Sequence, residues 1–270
     1  MHKMSSDNTT CAIMCILGKN FTEVYKAPVN YDSYCFTNNP QIRNEVERKN
    51  WIYIFVDMPV SEDYADSSLQ SKYVKFLQFL KEDKYKYFNK YTNILYFDHK
   101  LEVKDVHIQK ILSKLLHNKK SIYIKKYKDR NIWTEAGWAS KQERYLKFMP
   151  QTMKYVLEKL SNGYSADADI YATGIIFYRI HEKDVRKLAD EMYNDLIKIG
   201  TSECQIVWAL VSQKYMDIIY AEGWDNIPIR WEMPQNDLKR IIKLKKIVKC
   251  FIPYGMLKLW WIMRKKKLAG

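Results

Sequence analysis

Short apolar runs and amphipathic stretches take turns along this chain. "CAIMCILG", from Cys11, is an apolar run of strand length, and "YDSYCFTNN", from Tyr31, is a second that closes on turn residues. "NWIYIFVDMP" is a third, ended by Asp57 and Pro59. From Ser67 the apolar positions Leu69, Tyr73, Phe76, Leu77 and Leu80 recur at helical spacing, which predicts a helix there. In "TNILYFDHKLEVK" the next strand begins at Ile94 and stops on Asp98, with His99 and Lys100 directly after it. Asp105 is placed to cap a helix whose inner face is Ile108, Ile111, Leu112 and Leu115.

The alternation continues. "SIYIKKY" predicts a strand, and a helical segment from about Thr134 to Lys147 leads to the stripe Met149, Met153, Val156, Leu157 and Leu160. "DIYATGIIFYRI" is a long strand with Gly174 inside it. Val185, Leu188, Ala189, Met192, Leu196 and Ile199 form a further helical stripe. "TSECQIVWALVSQKY" predicts one more helix and "IPIRW" a short last strand. Strands alternating with helices are the α/β pattern. No internal repeat or low-complexity linker interrupts it.

Charge changes this picture at one end only. The chain has 270 residues, enough for a sizeable core, and a net charge of +14. Eleven Lys or Arg and no acid fall between positions 238 and 267, and the remainder carries 34 basic against 31 acidic residues. The globular part is therefore nearly balanced. A nucleic-acid surface would interleave cations with exposed aromatics across the domain, so no nucleic-acid partner is expected. The tail ends in "MLKLWWIMRKKK". Trp260 and Trp261 suit a headgroup zone, and Arg264, Lys265, Lys266 and Lys267 suit anionic lipid, at roughly 1 kcal/mol per cation. The competing reading is a basic helix docked on the domain or left in solvent.

The five cysteines, Cys11, Cys15, Cys35, Cys204 and Cys250, have neither metal-site nor redox spacing, and a reducing cytosol is the simplest compartment. Neither a cleavable leader nor a spanning segment is expected. The common phosphate-loop, dinucleotide, hydrolase-elbow and zincin signatures are missing.

Five constellations carry candidate chemistry. Ligands of open α/β sheets bind outside the carboxyl ends of strands, so Asp98-His99-Lys100 and Thr37-Asn38 are both well placed. Against this stands a plain turn, with Asp98 bonding nearby amides. Lys72 and Lys75 share a helix face and could meet phosphates, although a solvated face is the commoner fate of such a pair. Ser202-Glu203-Cys204-Gln205 has capping-box spacing. Asp167-Ala168-Asp169 is a literal D-x-D, but it precedes a strand instead of ending one.

The segments "YDSYCFTNN", "SKYVKFL", "ILYFDHKLEV", "SIYIKKYKDR", "ERYLKFM", "YATGIIFYR" and "SECQIVWALVSQKY" resemble, in order and spacing, a bacterial glycosyltransferase-like domain. That domain belongs to capsule and lipopolysaccharide gene clusters and is related to a plant group long of unknown function. The resemblance covers roughly Thr10 to Trp231. It implies a GT-A-like α/β fold over residues 1–236, with a nucleotide-sugar half to about 125, an acceptor half from about 126, and a basic tail over 237–270. It also implies sugar transfer, of hexosyltransferase type, from a nucleotide sugar, a UDP-sugar before others, to a glycan or lipid-linked acceptor. The setting would be cytoplasmic, on the inner face of the plasma membrane.

By this resemblance Thr37, Asn38, Lys72, Asp98, His99 and Lys100 face the donor, while Arg130, Thr173, Gly174 and Gln205 lie toward the acceptor. Asp98 would be the metal ligand if there is one. The chain departs from the pattern at three places. Lys100 stands where a second acid would bind Mn²⁺ or Mg²⁺. Two like unit charges about 4 Å apart repel by about 4 kcal/mol at an effective dielectric near 20. An essential metal is therefore not expected, and Lys100 with Lys72 would supply positive charge to the departing diphosphate. Tyr127 stands where relatives carry histidine, with Asp129 and Arg130 kept. Cys204 replaces an acid. Glu203, Asp129 and Asp169 remain open as the carboxylate that deprotonates the acceptor, beside Asp98 on the donor side. The rival readings are a degenerate transferase fold that only binds glycan or scaffolds an assembly and, less favoured, a basic nucleic-acid-binding protein.

Overall fold

The computed structural model describes residues 9–19, 24–223 and 230–231. In chain order its elements are β1 (Thr10–Ile16), β2 (Asp32–Thr37), α1 (Arg43–Arg48), β3 (Ile52–Phe55), α2 (Tyr64–Gln70), α3 (Lys72–Lys75), β4 (Asn93–Phe97), β5 (Leu101–Glu102) and α4 (Asp105–Asn118). Then come β6 (Ile122–Lys126), α5 (Ile132–Ala139), α6 (Glu143–Leu146), α7 (Met149–Ser161), β7 (Tyr171–Arg179), α8 (Lys183–Ile199), α9 (Cys204–Val211), β8 (Ile219–Gly223) and β9 (Arg230–Trp231).

Seven strands form one mixed sheet in the order β3-β2-β1-β4-β7-β6-β8. Strands β1 to β4 are mutually parallel, β6 is parallel to β8, and β7 is antiparallel to both β4 and β6. Six strands therefore point one way and only β7 opposes them. Their carboxyl ends share one edge, and the start of β7 returns to that same edge.

Helices cover both faces, which is why the strands read as continuous apolar runs and not as alternating ones. In β1, Cys11, Ile13 and Cys15 join one core with Phe36, Ile94 and Trp208, while Ala12, Met14 and Ile16 join the other with Leu95, Tyr123 and Phe177. Each fully buried large side chain of this kind contributes about 1.5–3 kcal/mol. The expected α/β class, a mixed sheet flanked by helices, is what the chain forms.

Three local expectations are corrected. The stripe from Ser67 is not one helix: α2 and α3 are followed by 3-10 turns, and Leu77 takes φ +59°. The cause is tertiary. The Lys75 carbonyl accepts from the Tyr178 hydroxyl at 3.1 Å, and the Phe76 carbonyl accepts from the Gln78 side chain at 2.8 Å, so the last turn's acceptors are already satisfied. The segment from Thr134 to Lys147 is likewise two short helices, α5 and α6. Asp105 does not cap α4. Lys104 holds the cap position, and the Asp105 carboxylate accepts from the backbone and side chain of Asn30.

The short strand expected in "IPIRW" is present as β9, which pairs with β5 just beyond Lys100. The tail residues Trp260, Trp261, Arg264, Lys265, Lys266 and Lys267 lie outside the described residues. No helix among the described residues is long and apolar enough to cross a membrane.

Candidate functional site

Where β4 runs out, Asp98 meets a cation. The Lys75 ammonium lies 3.1 Å from Asp98 Oδ1, the Tyr96 hydroxyl donates to the same oxygen at 2.9 Å, and the ammonium also sits 5.0 Å from the centre of the Tyr96 ring. Lys75 is buried, while a quarter of the Asp98 side chain stays open. Burial alone would raise the Asp98 pKa. Lys75 first, then Lys100 and Lys72, outweigh it and hold the carboxyl at about 2. The backbone N–H of Asp98 donates to the Gly174 carbonyl at 2.8 Å, which ties the strand end to the start of β7. Asp98 is thus neither a solvated turn residue nor an isolated acid.

Lys72 and Lys75 do not lie on a solvated face. They are 4% and 3% exposed, and α3 directs both toward the carboxyl edge of the sheet. Lys75 is neutralised by Asp98. Lys72 has no hydrogen bond or ion pair among the described residues, and burial lowers its pKa, helped by Lys75 and opposed by Cys204 and Asp98. A buried cation without a counter-ion is costly unless something else supplies the negative charge. Beside it, burial pushes His99 down to about 4, so this ring is neutral near pH 7.

Thr37 and Asn38 are buried and hold the loop that follows β1. The Asn38 carbonyl oxygen accepts from the Gly18 N–H at 2.8 Å, its amide donates to the Pro59 carbonyl at 2.8 Å, and the Thr37 hydroxyl accepts from the Asn39 N–H at 3.0 Å. Gly18 has φ +88°, and a Cβ there would overlap the Ser67 hydroxyl and come within 2.8 Å of the Ser61 carbonyl. The bare backbone therefore lets the loop after β1 pack closely on α2.

The acceptor-side candidates converge on the same edge. Thr173 Oγ1 lies 3.0 Å from Cys204 Sγ, one residue from the Gly174 that holds Asp98. Glu203 caps α9, accepting from the Gln205 N–H at 2.8 Å, so the cap is Glu203 and not the expected Ser202. The Ser202 hydroxyl is buried without a hydrogen-bond partner among the described residues. Gln205 bonds the Tyr127 hydroxyl, and the Arg130 guanidinium lies 4.1 Å from the Tyr127 ring centre and 5.3 Å from that of Trp138. Trp138 itself is half exposed. Asp129 sits in an exposed turn with φ +56°, and Asp169 is taken by Lys126 at 2.7 Å.

Sequence reasoning missed two of these residues and the partner of a third. Glu135, on α5, is 3% exposed and pairs with Arg130 at 3.2 Å. Burial first, then the Glu203 charge, raises it to about 7 against the pull of Arg130. Arg144, on α6, bears on Glu203 and donates to the Tyr64 hydroxyl at 2.9 Å. Lys75 was seen only as half of a helical pair. No spacing rule joins these positions, because the loops between distant elements bring them together.

The donor set does not suit a divalent cation. The carboxylate that would bind it already has a lysine in contact, and two further lysines add their charge. Among the described residues no group of three or more His, Cys, Asp or Glu side chains converges as a metal site.

The fold and this edge define an α/β protein with a buried cationic cluster beside a second cluster of acids and arginines. No family model matches the chain, and no curated protein matches it. Among solved structures it is similar to glucosyl-3-phosphoglycerate synthase from Mycobacterium tuberculosis, at 8% identity over 93% of this chain and 81% of that one, with a TM-score of 0.41. It is similar to mouse xyloside xylosyltransferase 1 at 8% identity over 78% and 84%, TM-score 0.41. It is also similar to a CMP:2-keto-3-deoxy-manno-octonic acid synthetase at 9% over 80% and 89%, TM-score 0.37.

Proposed function

We propose that this chain is a glycosyltransferase that takes a sugar from a nucleotide-sugar donor, a UDP-sugar before others, and passes it to a glycan or lipid-linked acceptor. The observation that carries the reading is the Lys72 ammonium, buried next to the Asp98–Lys75 pair with no acid in direct contact among the described residues. It lies where parallel strands end, the usual ligand edge of such sheets. A diphosphate is the kind of anion that satisfies it. Lys72 and Lys100 then stabilise the departing nucleoside diphosphate by charge fixed in advance, and no divalent metal is needed for that step. The open edge of Asp98 is left to face hydroxyl groups of the donor.

The exposed ring of Trp138, beside Arg130, offers a flat wall to the acceptor. The basic tail would keep the enzyme at the cytoplasmic face of the plasma membrane, near a lipid-linked acceptor. Hydrolysis of a panel of nucleotide sugars, with and without a chelator, tests this reading. Turnover of at least one donor in chelator is expected, and turnover that needs Mn²⁺ would overturn the metal-free part. No turnover with glycan binding retained would make this a binding site, not a catalytic one.

A further inference from the structure

Two acids distant in sequence meet at the acceptor side. Glu135 comes from α5 and Glu203 from the cap of α9, and they are 3% and 2% exposed. Glu203 is anchored: its carboxylate accepts from the N–H groups of Gln205 and Ile206. Glu135 has one fixed partner, the Arg130 guanidinium, which leans over the Tyr127 ring toward the exposed Trp138. Trp138 lies three residues beyond Glu135, on the same side of α5. A ring resting on Trp138 is therefore led along Arg130 toward Glu135. The opposite end of the cluster reaches the β4 edge: Tyr127 bonds Gln205, the neighbouring Cys204 Sγ lies 3.0 Å from Thr173 Oγ1, and Gly174 accepts from the Asp98 N–H at 2.8 Å.

Buried acids whose charges bear on one another from packed helices are costly, and an enzyme has a use for that cost. We propose that Glu135 receives the proton of the acceptor hydroxyl, with Glu203 as the positioning residue that tunes it. This rests on the glycosyltransferase reading. The acceptor oxygen forms its bond to the anomeric carbon as the bond from that carbon to the phosphate oxygen breaks. The electron pair leaves with the nucleoside diphosphate beside Lys72, and the hydroxyl proton passes to the Glu135 carboxylate. Such a direct displacement inverts the anomeric centre.

The groups facing the pair are Arg130 before α5, Tyr127 at the end of β6, Arg144 and Tyr145 on α6, and Lys72 on α3. Burial first, then the charge of Glu203, pushes Glu135 up to about 7, which suits a base working near neutrality; burial raises Glu203 as well, and its backbone N–H bonds, Arg144 and Lys72 pull it back.

The test uses the full chain with Glu135→Gln and Glu203→Gln, both isosteric. Carboxyl titration by ¹³C NMR of the ligand-free protein is read first. One glutamate is expected to titrate near pH 7, to vanish in Glu135→Gln and to move down in Glu203→Gln. If every glutamate titrates below pH 5, the proposal is wrong. UDP calorimetry is read second, and wild type and Glu135→Gln are expected to bind alike. With a UDP-sugar that the panel shows to turn over, Glu135→Gln is expected to lose about 10²–10⁴-fold in kcat with donor KM kept. Glu203→Gln should shift the acid limb of the pH profile downward, which a purely structural role would not do. Retained kcat in Glu135→Gln, or a product with retained configuration, overturns the proposal and leaves the donor reading standing. A wild type that neither binds UDP nor turns over any donor removes the donor reading, and this inference falls with it.

Discussion

The Lys75 ammonium sits 3.1 Å from Asp98 Oδ1, and the lysine is almost fully buried while the acid keeps an open edge. The sheet edge thus carries its own counter-ion. A partner removed from such a pair leaves an uncompensated buried charge, which costs about 3–5 kcal/mol. Lys75→Met and Asp98→Asn are each expected to lower stability by that order. The double variant should recover part of the loss, which a double-mutant cycle in urea measures.

The same pair sets an acid limit. The Asp98 pKa is depressed to about 2, so its contribution is complete above its ordinary value near 4 and is lost as pH falls toward 2. Roughly 2 kcal/mol is at stake. Denaturant titrations between pH 2 and 5 should show this slope in wild type and lose it in Asp98→Asn.

Glu135 works with the opposite sign. Its pKa is raised to about 7, so the folded chain holds a proton that the unfolded chain has lost, and stability falls as pH rises from about 4.5 to 7. Glu135→Gln is expected to flatten that part of the curve and to be more stable than wild type at pH 8. A thermal scan across pH 5 to 8 checks it.

Lys72→Met should separate stability from function. Removing a buried cation that makes no direct ion pair among the described residues is expected to leave the ligand-free fold as stable or more so. UDP affinity in chelator should fall about tenfold to a hundredfold, the worth of one hydrogen bond to a charged group. Unchanged UDP affinity would remove Lys72 from the donor site.

Gly18→Ala is expected to cost about 2–4 kcal/mol, from its left-handed backbone and from the crowding of Ser61 and Ser67. The loop after β1 would shift against α2, so urea midpoint and UDP affinity should drop together.

Much of the fold was legible because burial on both faces writes itself into composition. Strands β1, β4 and β7 are apolar at nearly every position, and α8 shows its stripe of Val185, Leu188, Met192 and Leu196 without ambiguity. The helix predicted through Leu77 failed for a reason no local pattern carries. Its final carbonyls are claimed by Tyr178, from a strand about a hundred residues away, and by Gln78. Asp105 went to Asn30 on the same logic.

The sequence by itself determined most of the strands, though not β8 at the sheet edge, that Asp98 ends one of them, and that positive charge gathers in the tail. Tertiary structure alone decided the partners. Lys75 and not Lys100 is the cation in contact with Asp98, Lys72 is buried beside that pair, and α5 and α9 bring Glu135 within the influence of the Glu203 charge. Periodicity records which side of an element is buried, since that depends on the element alone. Which charges face each other depends on loops that join distant elements, and it appears only once the sheet has closed.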